Sequence, residues 1–356
     1  MATYRAAIVG LTGIGAAPLP DRPVHPALGP AWQHSHAASY AQVPNVRVVA
    51  ACDLKPELLD QFRANFQSVW SEMRTYTDYR EMLEQERLDL LSVVTSDHMH
   101  AQIVVDAAER GVRGILCEKP IATTLADADR MIAACERNGV VMSINHSRRW
   151  RAVWHAALAQ AGNGPLGAVR RIVGSTGGPR AMLFRNGTHL IDTICWFARS
   201  EPEWVVGILD EEHQQYGPHY AGDGGRDPAL DPGGSGLVHF ANGVRAFINC
   251  SKRTAARLEL DVFCEDGRMR VDDTAAEAWM VPPGSRAQMR MPLAIPHTVR
   301  ADTSAAIAEL IEAVERSGGE TLSPPRAART ALAIILALLQ SQAAGHVPVR
   351  FPVRDV

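Results

Sequence analysis

The sequence predicts an α/β chain in two parts: a doubly wound parallel sheet, then an α/β domain on an open, mostly antiparallel sheet. Three observations carry this. Through residues 1–145, short apolar runs alternate with helix-patterned segments. The first run ends on a glycine-rich turn, Gly10 to Gly15. After Trp150 the strand-like runs crowd together, joined by Asn242-Gly243 and Asp266-Gly267, pairs that favour tight hairpins.

Tyr4 to Val9, Val46 to Cys52, Leu88 to Thr95, Gly114 to Cys117 and Val140 to Ile144 are the apolar runs. Short runs of this kind suit strands buried on both faces of a parallel sheet. Helical patterns over 55–66, 78–86, 99–110 and 123–138 lie between them, and such alternation covers both sheet faces with helices. In the second part, strands are predicted near 168–176, 203–210, 235–241, 244–251, 258–264 and 268–272, with helices near 187–198, 303–316 and 325–343. The segment 213–234, rich in Gly, Asp and Pro, reads as a long loop near the active site or an interface. The predicted domains are therefore 1–145 and 146–356.

The bulk numbers agree. A chain of 356 residues exceeds the usual single domain, and 46% apolar content supplies packed cores. A net charge of −3 without long runs of one sign gives no reason to expect a nucleic-acid or membrane partner. The six cysteines form no C-x-x-C pair, which predicts reduced, mostly buried thiols in a cytoplasmic protein. No signal peptide or membrane-spanning run is apparent. His34-Ser35-His36 lacks carboxylate or thiolate neighbours at ligand spacing, so no metal centre is expected.

The glycine turn reads Gly10-Leu11-Thr12-Gly13-Ile14-Gly15. A Rossmann fingerprint needs a glycine for the turn, one where the pyrophosphate approaches, and one for helix packing. Gly10 and Gly15 stand at the outer positions; Thr12 occupies the middle one, with a glycine displaced to 13. Asp53 ends the second strand, where a carboxylate accepts hydrogen bonds from the adenosine ribose. The gap to it is longer than usual, and the prolines and glycine of residues 16–33 mark an insertion that accounts for the excess; the helix resumes at about Ser35. A carboxylate at this place repels a 2′-phosphate, so NAD is expected rather than NADP.

Four further landmarks follow in order: Thr95 to His100 (TSDHMH), Glu118-Lys119-Pro120, Asn145 to Trp150 (NHSRRW) and Gly187 to Asp192 (GTHLID). With the glycine turn they closely resemble the Gfo/Idh/MocA family of sugar and cyclitol dehydrogenases, along essentially the whole chain. The resemblance implies a Rossmann domain, a C-terminal domain on an open sheet, and oxidation of a hydroxyl with hydride passing to the nicotinamide. It implies a homodimer or homotetramer through the C-terminal sheet. It also makes Lys119 the active-site lysine, His189 the catalytic histidine and Pro120 a commonly cis proline. Gly10, Thr12, Gly13, Ile14, Gly15, Asp53, Thr95, His100, Glu118 and Lys119 are the expected cofactor residues. Lys119, His146, Arg149, Arg185, Asn186 and His189 are the expected substrate residues.

The chemistry suits these types. Taking a hydride from a carbinol requires the hydroxyl proton to leave, and an imidazole near neutral pKa is suited to receive it. An adjacent lysine can hydrogen-bond the same oxygen and stabilise developing negative charge. The plainer readings are a surface lysine after a strand and a satisfied helix histidine; Arg149 serves either substrate or an ion pair. One departure stands out. The resemblance implies an aspartate four residues before the histidine, and this chain has Arg185 there, followed by Asn186. A guanidinium is no base at neutral pH and prefers carboxylate or phosphate. Either the substrate is anionic, or Asn186 takes the aspartate's place. Two other functions compete: a glycosidase or lyase that oxidises transiently and retains its NAD, and a non-catalytic NAD-binding protein.

Overall fold

The computed structural model describes residues 3–18, 35–210, 220, 231–255, 257–298, 300–316 and 319–355. Most of the predicted insertion at 16–33 and of the loop at 213–234 therefore lies outside the described residues. The chain divides into two compact units, Met1–Trp150 with Thr298–Arg326, and Arg151–His297 with Ala327–Val356.

In the first unit, six parallel strands are β1 (Tyr4–Val9), β2 (Val46–Cys52), β3 (Arg74–Tyr76), β4 (Leu90–Val93), β5 (Gly114–Cys117) and β6 (Val141–Ile144). Their order is β3-β2-β1-β4-β5-β6. The strand sequence runs outward from β1 in both directions, so the switch point lies between β1 and β4. Between the strands lie α1 (His36–Tyr40), α2 (Pro56–Phe66), α3 (Tyr79–Gln85), α4 (His100–Glu109) and α5 (Leu125–Asn138). Two of them show the terminal chemistry clearly. Proline opens α2, the Thr124 side chain accepts the Asp127 amide at the start of α5, and Gly139 closes it at φ +66°. Helix α2 buries Leu59, Phe62 and Phe66, and the rings of Phe62 and Phe66 pack 5.1 Å apart. Burial of each such side chain stabilises by about 1.5–3 kcal/mol.

The predicted helix near 303–316 is Asp302–Glu315, designated α8, and sequence order alone places it in the C-terminal part. In the structure it joins the first unit, where Ala306, Ile307, Leu310, Ile311 and Val314 share a core with Tyr4, Ala6, Leu90 and Leu116. Gly114 permits the approach: a Cβ there would lie 2.9 Å from both Leu90 Cδ2 and Val314 Cγ2.

The second unit carries α6 (Ala152–Leu158), β7 (Val169–Gly177), α7 (Thr188–Ala198) and β8 (Pro202–Leu209). Then follow β9 (Gly234–Phe240), β10 (Arg245–Ser251), β11 (Glu259–Cys264), β12 (Gly267–Asp272), β13 (Ala276–Met280), β14 (Met289–Met291), and finally β15 (Val349–Arg350). The sheet order is β14-β13-β12-β11-β7-β10-β9-β8-β15, open and mostly antiparallel as predicted, with β7 and β10 parallel. The β9–β10 hairpin turns at Asn242-Gly243, with Gly243 at φ +82° and the Asn242 side chain accepting the Val244 amide at 3.2 Å. Helix α9, Pro325–Ala343, contributes Leu338, whose backbone a Cβ on Gly207 would touch at under 3 Å. Along β10, Ala246, Ile248 and Cys250 are buried on this same face, whereas Phe247, on the opposite face, is 42% exposed. Among the described residues, no helix is long and apolar enough to cross a membrane.

Candidate functional site

Most of the candidate residues of the first unit follow the carboxyl ends of its strands, where open α/β sheets bind ligands. Gly10, after β1, has φ +95°, and a Cβ on it would lie 2.4 Å from the Val94 carbonyl oxygen. A Cβ on Gly15 would lie 2.1 Å from the Gly10 carbonyl oxygen. Both positions are closed to any side chain. Gly13 differs: it is exposed, its φ is +44°, and nothing lies within 4 Å of where its Cβ would be. A pyrophosphate can approach the backbone there unhindered, so the turn fits a dinucleotide. Thr12 and Ile14 flank Gly13 and are exposed.

Asp53 follows β2 and its carboxylate holds two backbone amides, Leu11 N at 2.8 Å and Lys55 N at 3.0 Å. It thereby ties the glycine turn to the neighbouring strand. After β4, the Thr95 hydroxyl donates to the Ser96 carbonyl at 3.3 Å. His100 is completely buried at the start of α4, with Nδ1 2.9 Å from the Pro120 carbonyl oxygen and Nε2 3.3 Å from that of Thr95. Burial holds its imidazole below the ordinary pKa, although the carbonyls and Glu118 act the other way. The side chain of His100 thus braces the loops after β4 and β5 from within.

Glu118 and Lys119 follow β5, and the Lys119–Pro120 peptide is cis. The Glu118 carboxylate is buried and turned toward protein partners: Oε1 meets Asn145 Nδ2 at 2.7 Å and His36 Nε2 at 3.1 Å. Burial pushes this carboxyl up, but the His36 hydrogen bond and charge, the Lys119 charge and the Asn145 amide outweigh it and hold the pKa at about 2. Lys119 is half-buried. After β6, His146 is buried, and Arg149 in the following short helical turn donates from Nη1 to the Leu322 carbonyl at 2.9 Å.

In the second unit, a single π-helical turn, Leu183–Gly187, runs directly into α7. Such turns recur at functional sites. This one puts Arg185 and Asn186 immediately ahead of His189, which is 8% exposed. Arg185 is 6% exposed, and its guanidinium donates from Nη2 to the Tyr220 hydroxyl at 3.2 Å. The Tyr220 ring stacks on Phe184 with centroids 4.0 Å apart, and the Phe184 amide donates to Asp231 Oδ1 at 3.2 Å. Gly187 leaves room for the Cys250 sulfur, 3.2 Å from where its Cβ would be.

Within the first unit the structure gathers Gly10 to Gly15, Asp53, Thr95, Glu118, Lys119 and His146 at strand ends. Within the second it gathers Arg185, Asn186 and His189. Sequence reasoning missed His36 and Asn145 as partners of Glu118, Ser92 as a partner of His36, and Tyr220 and Asp231 around the π-turn. His36 carried a signal, since it follows the Ser35 cap where the helix resumes. Tyr220 and Asp231 lay in a featureless Gly/Asp/Pro stretch and carried none.

Comparison with known proteins agrees with this architecture. Residues 5–146 match the oxidoreductase family with an NAD-binding Rossmann fold, and residues 140–270 match the GFO/IDH/MocA C-terminal domain. D-apiose dehydrogenase of Paraburkholderia graminis is 36% identical over 136 residues, 38% of this chain and 35% of that protein. Myo-inositol 2-dehydrogenase of Thermotoga maritima is 24% identical over 255 residues, 67% of this chain and 71% of that protein. The matched stretches span about a third of the length of the first curated relatives. In fold, the WlbA dehydrogenase from Bordetella pertussis in complex with NADH and UDP-GlcNAcA is similar at a TM-score of 0.73 and 18% identity, covering 99% of each chain. Over residues 5–270, the chain belongs to the GFO/IDH/MocA oxidoreductase family, whose N-terminal domain is an NAD-binding Rossmann fold.

Proposed function

We propose that this protein is an NAD-dependent dehydrogenase that oxidises a hydroxyl of a sugar, sugar derivative or cyclitol. The observation that carries the reading is the placement of Lys119 directly after β5, one strand beyond the switch point, next to a buried carboxylate. The glycine turn from Gly10 to Gly15 would hold the pyrophosphate and Asp53 the adenosine ribose, which selects NAD over NADP. NAD supplies the hydride acceptor when bound. Lys119 holds the substrate oxygen and stabilises its negative charge. His189 receives the hydroxyl proton. Residues 1–145, with α8 completing their core, would serve the cofactor, and the rest of 146–356 the substrate.

Arg185 gives the reading its finer content. A buried guanidinium ahead of the histidine, where an acidic residue is expected, suits a substrate bearing a carboxylate or phosphate. We further propose a homodimer or homotetramer through the second sheet, supported by Phe247 at 42% and Ile208 at 57% exposure on it. Six free cysteines suit a cytoplasmic setting.

The test is a screen of polyols, aldoses, uronates and cyclitols, following NADH absorbance with NADP in parallel. Lys119→Ala and His189→Ala should each lower turnover on the best substrate by about 100-fold, with NADH affinity nearly unchanged. Turnover at the wild-type rate in either variant removes that residue from the chemistry. Copurified NAD that turns over substrate without net NADH release would instead favour a glycosidase or lyase.

A further inference from the structure

The first unit contains a buried chain of polar side chains that the proposed chemistry does not use. Tyr40 OH lies 3.0 Å from Ser92 Oγ, and Ser92 Oγ lies 2.9 Å from His36 Nδ1. His36 Nε2 then meets Glu118 Oε1 at 3.1 Å. From the other side, Asn145 Nδ2 donates to the same carboxylate oxygen at 2.7 Å and contacts Thr303 Oγ1 at 3.1 Å. Tyr40, Ser92 and His36 are completely buried, Asn145 nearly so. These residues come from α1, the β4 strand, the ends of β5 and β6, and α8.

With the His36 ring neutral, donor and acceptor chemistry sets the direction of each bond, whereas a charged ring donates from both nitrogens and turns the Ser92 bond round. An ionised carboxylate only accepts, so His36 Nε2 carries the hydrogen. In a neutral ring Nδ1 then accepts, and takes the Ser92 hydroxyl proton. Ser92 Oγ in turn accepts from Tyr40. The dipoles therefore line up toward Glu118, and aligned buried hydrogen bonds reinforce one another. Tyr40 suits its place as the terminal donor, since burial pushes its phenol up to about 12 despite the Ser92 bond. The remaining oxygen, Glu118 Oε2, accepts the backbone amide of Lys119 at 3.3 Å. A buried carboxylate needs such partners to stay ionised.

We propose that His36 and Glu118 are positioning residues for Lys119: the chain from Tyr40 fixes the Glu118 carboxylate, and Glu118 fixes the backbone and charge environment of the lysine. The inference rests on the reading of Lys119 as the residue that holds the substrate oxygen.

Two readouts on the full chain keep the two claims apart. The first is the rate at which sulfo-N-hydroxysuccinimide acetate modifies Lys119 without cofactor, followed by peptide mass spectrometry. The second is turnover on the best substrate of the screen, with NADH affinity by fluorescence. His36→Leu and Glu118→Gln should change the labelling rate and lower kcat by about 10-fold or more, as small misplacements do, and in His36→Leu NADH affinity should stay close to wild type. His36→Gln keeps a donor at the Nε2 position and should restore most of both. Tyr40→Phe, at the far end of the chain, should move both readouts in the same direction as His36→Leu but by less. Wild-type labelling and kcat in Glu118→Gln and His36→Leu would overturn the proposal, as would a fall in kcat in Tyr40→Phe as large as theirs. If His36→Leu does not fold, Glu118→Gln and His36→Gln decide the matter alone. Wild-type turnover in Lys119→Ala, alongside altered labelling in Glu118→Gln, would sink the reading of Lys119 and leave the positioning intact.

Discussion

The backbone amide of Leu11 donates to Asp53 Oδ2 at 2.8 Å, so the carboxylate proposed for the adenosine ribose also anchors the glycine turn. The two tasks are coupled through one side chain. Asp53→Ala should weaken NAD by about 10-fold or more and raise relative use of NADP, because it removes both an acceptor and a repelling charge. Titration calorimetry with both dinucleotides checks this. Tighter wild-type binding of NADP than NAD would refute the assignment.

The three glycines of the turn should respond differently to one added methyl. Gly10→Ala and Gly15→Ala drive Cβ against backbone at 2.4 and 2.1 Å, and neither neighbour is a movable side chain. Both should express poorly or unfold at markedly lower temperature. Gly13→Ala meets nothing within 4 Å and costs only its positive φ, about 1 kcal/mol. It should fold and yet bind NADH more weakly, since its methyl stands where the pyrophosphate approaches. Equal thermal stability across the three would contradict the packing described.

Arg185→Ala should raise KM for a uronate or sugar phosphate far more than for a neutral sugar, by about 10- to 100-fold if a charge-assisted bond is lost. Steady-state kinetics on matched substrates reads this directly. Equal effects on both would assign the guanidinium to the wall formed with Tyr220.

His100 gives a pH dependence with a definite sign. Burial lowers its pKa from 6.5, so the unfolded chain takes up a proton that the folded chain resists. Its contribution to stability is complete above about pH 6.5 and is lost as pH falls below it. Glu118 acts lower: its pKa of about 2 contributes stability above its ordinary 4.5, lost as pH falls toward 2. His100→Asn keeps a donor for the Pro120 carbonyl and should flatten the fall in the denaturation midpoint between about pH 7 and 5. An identical slope in wild type and variant would show that the ring does not titrate with unfolding.

The long, patterned elements were legible in the sequence. β1, β2 and β5 run where the apolar runs do, and α2 follows its period from a proline start. The short edge pieces were not: β3 and β14 have three residues each and β15 two, too few for any period to declare itself. The amphipathic stripe of α8 reveals a helix but not which sheet it covers. The candidate residues were legible as motifs, because each is local. The partners of Glu118 were not, because His36 is 82 positions away and only the order of the strands brings it near.

The return of α8 has a consequence for biogenesis. Leu310, Ile311 and Val314 complete a core that begins with Tyr4 and Ala6, yet they are synthesised roughly 160 residues after the last strand of that sheet. At 5–20 residues per second the nascent sheet waits on the order of ten seconds or more with one apolar flank uncovered. The first unit is therefore a late-closing domain, whose apolar flank is open to aggregation until α8 arrives. A fragment ending near Trp150 should aggregate, whereas one in which 298–326 is fused behind it should stay monodisperse.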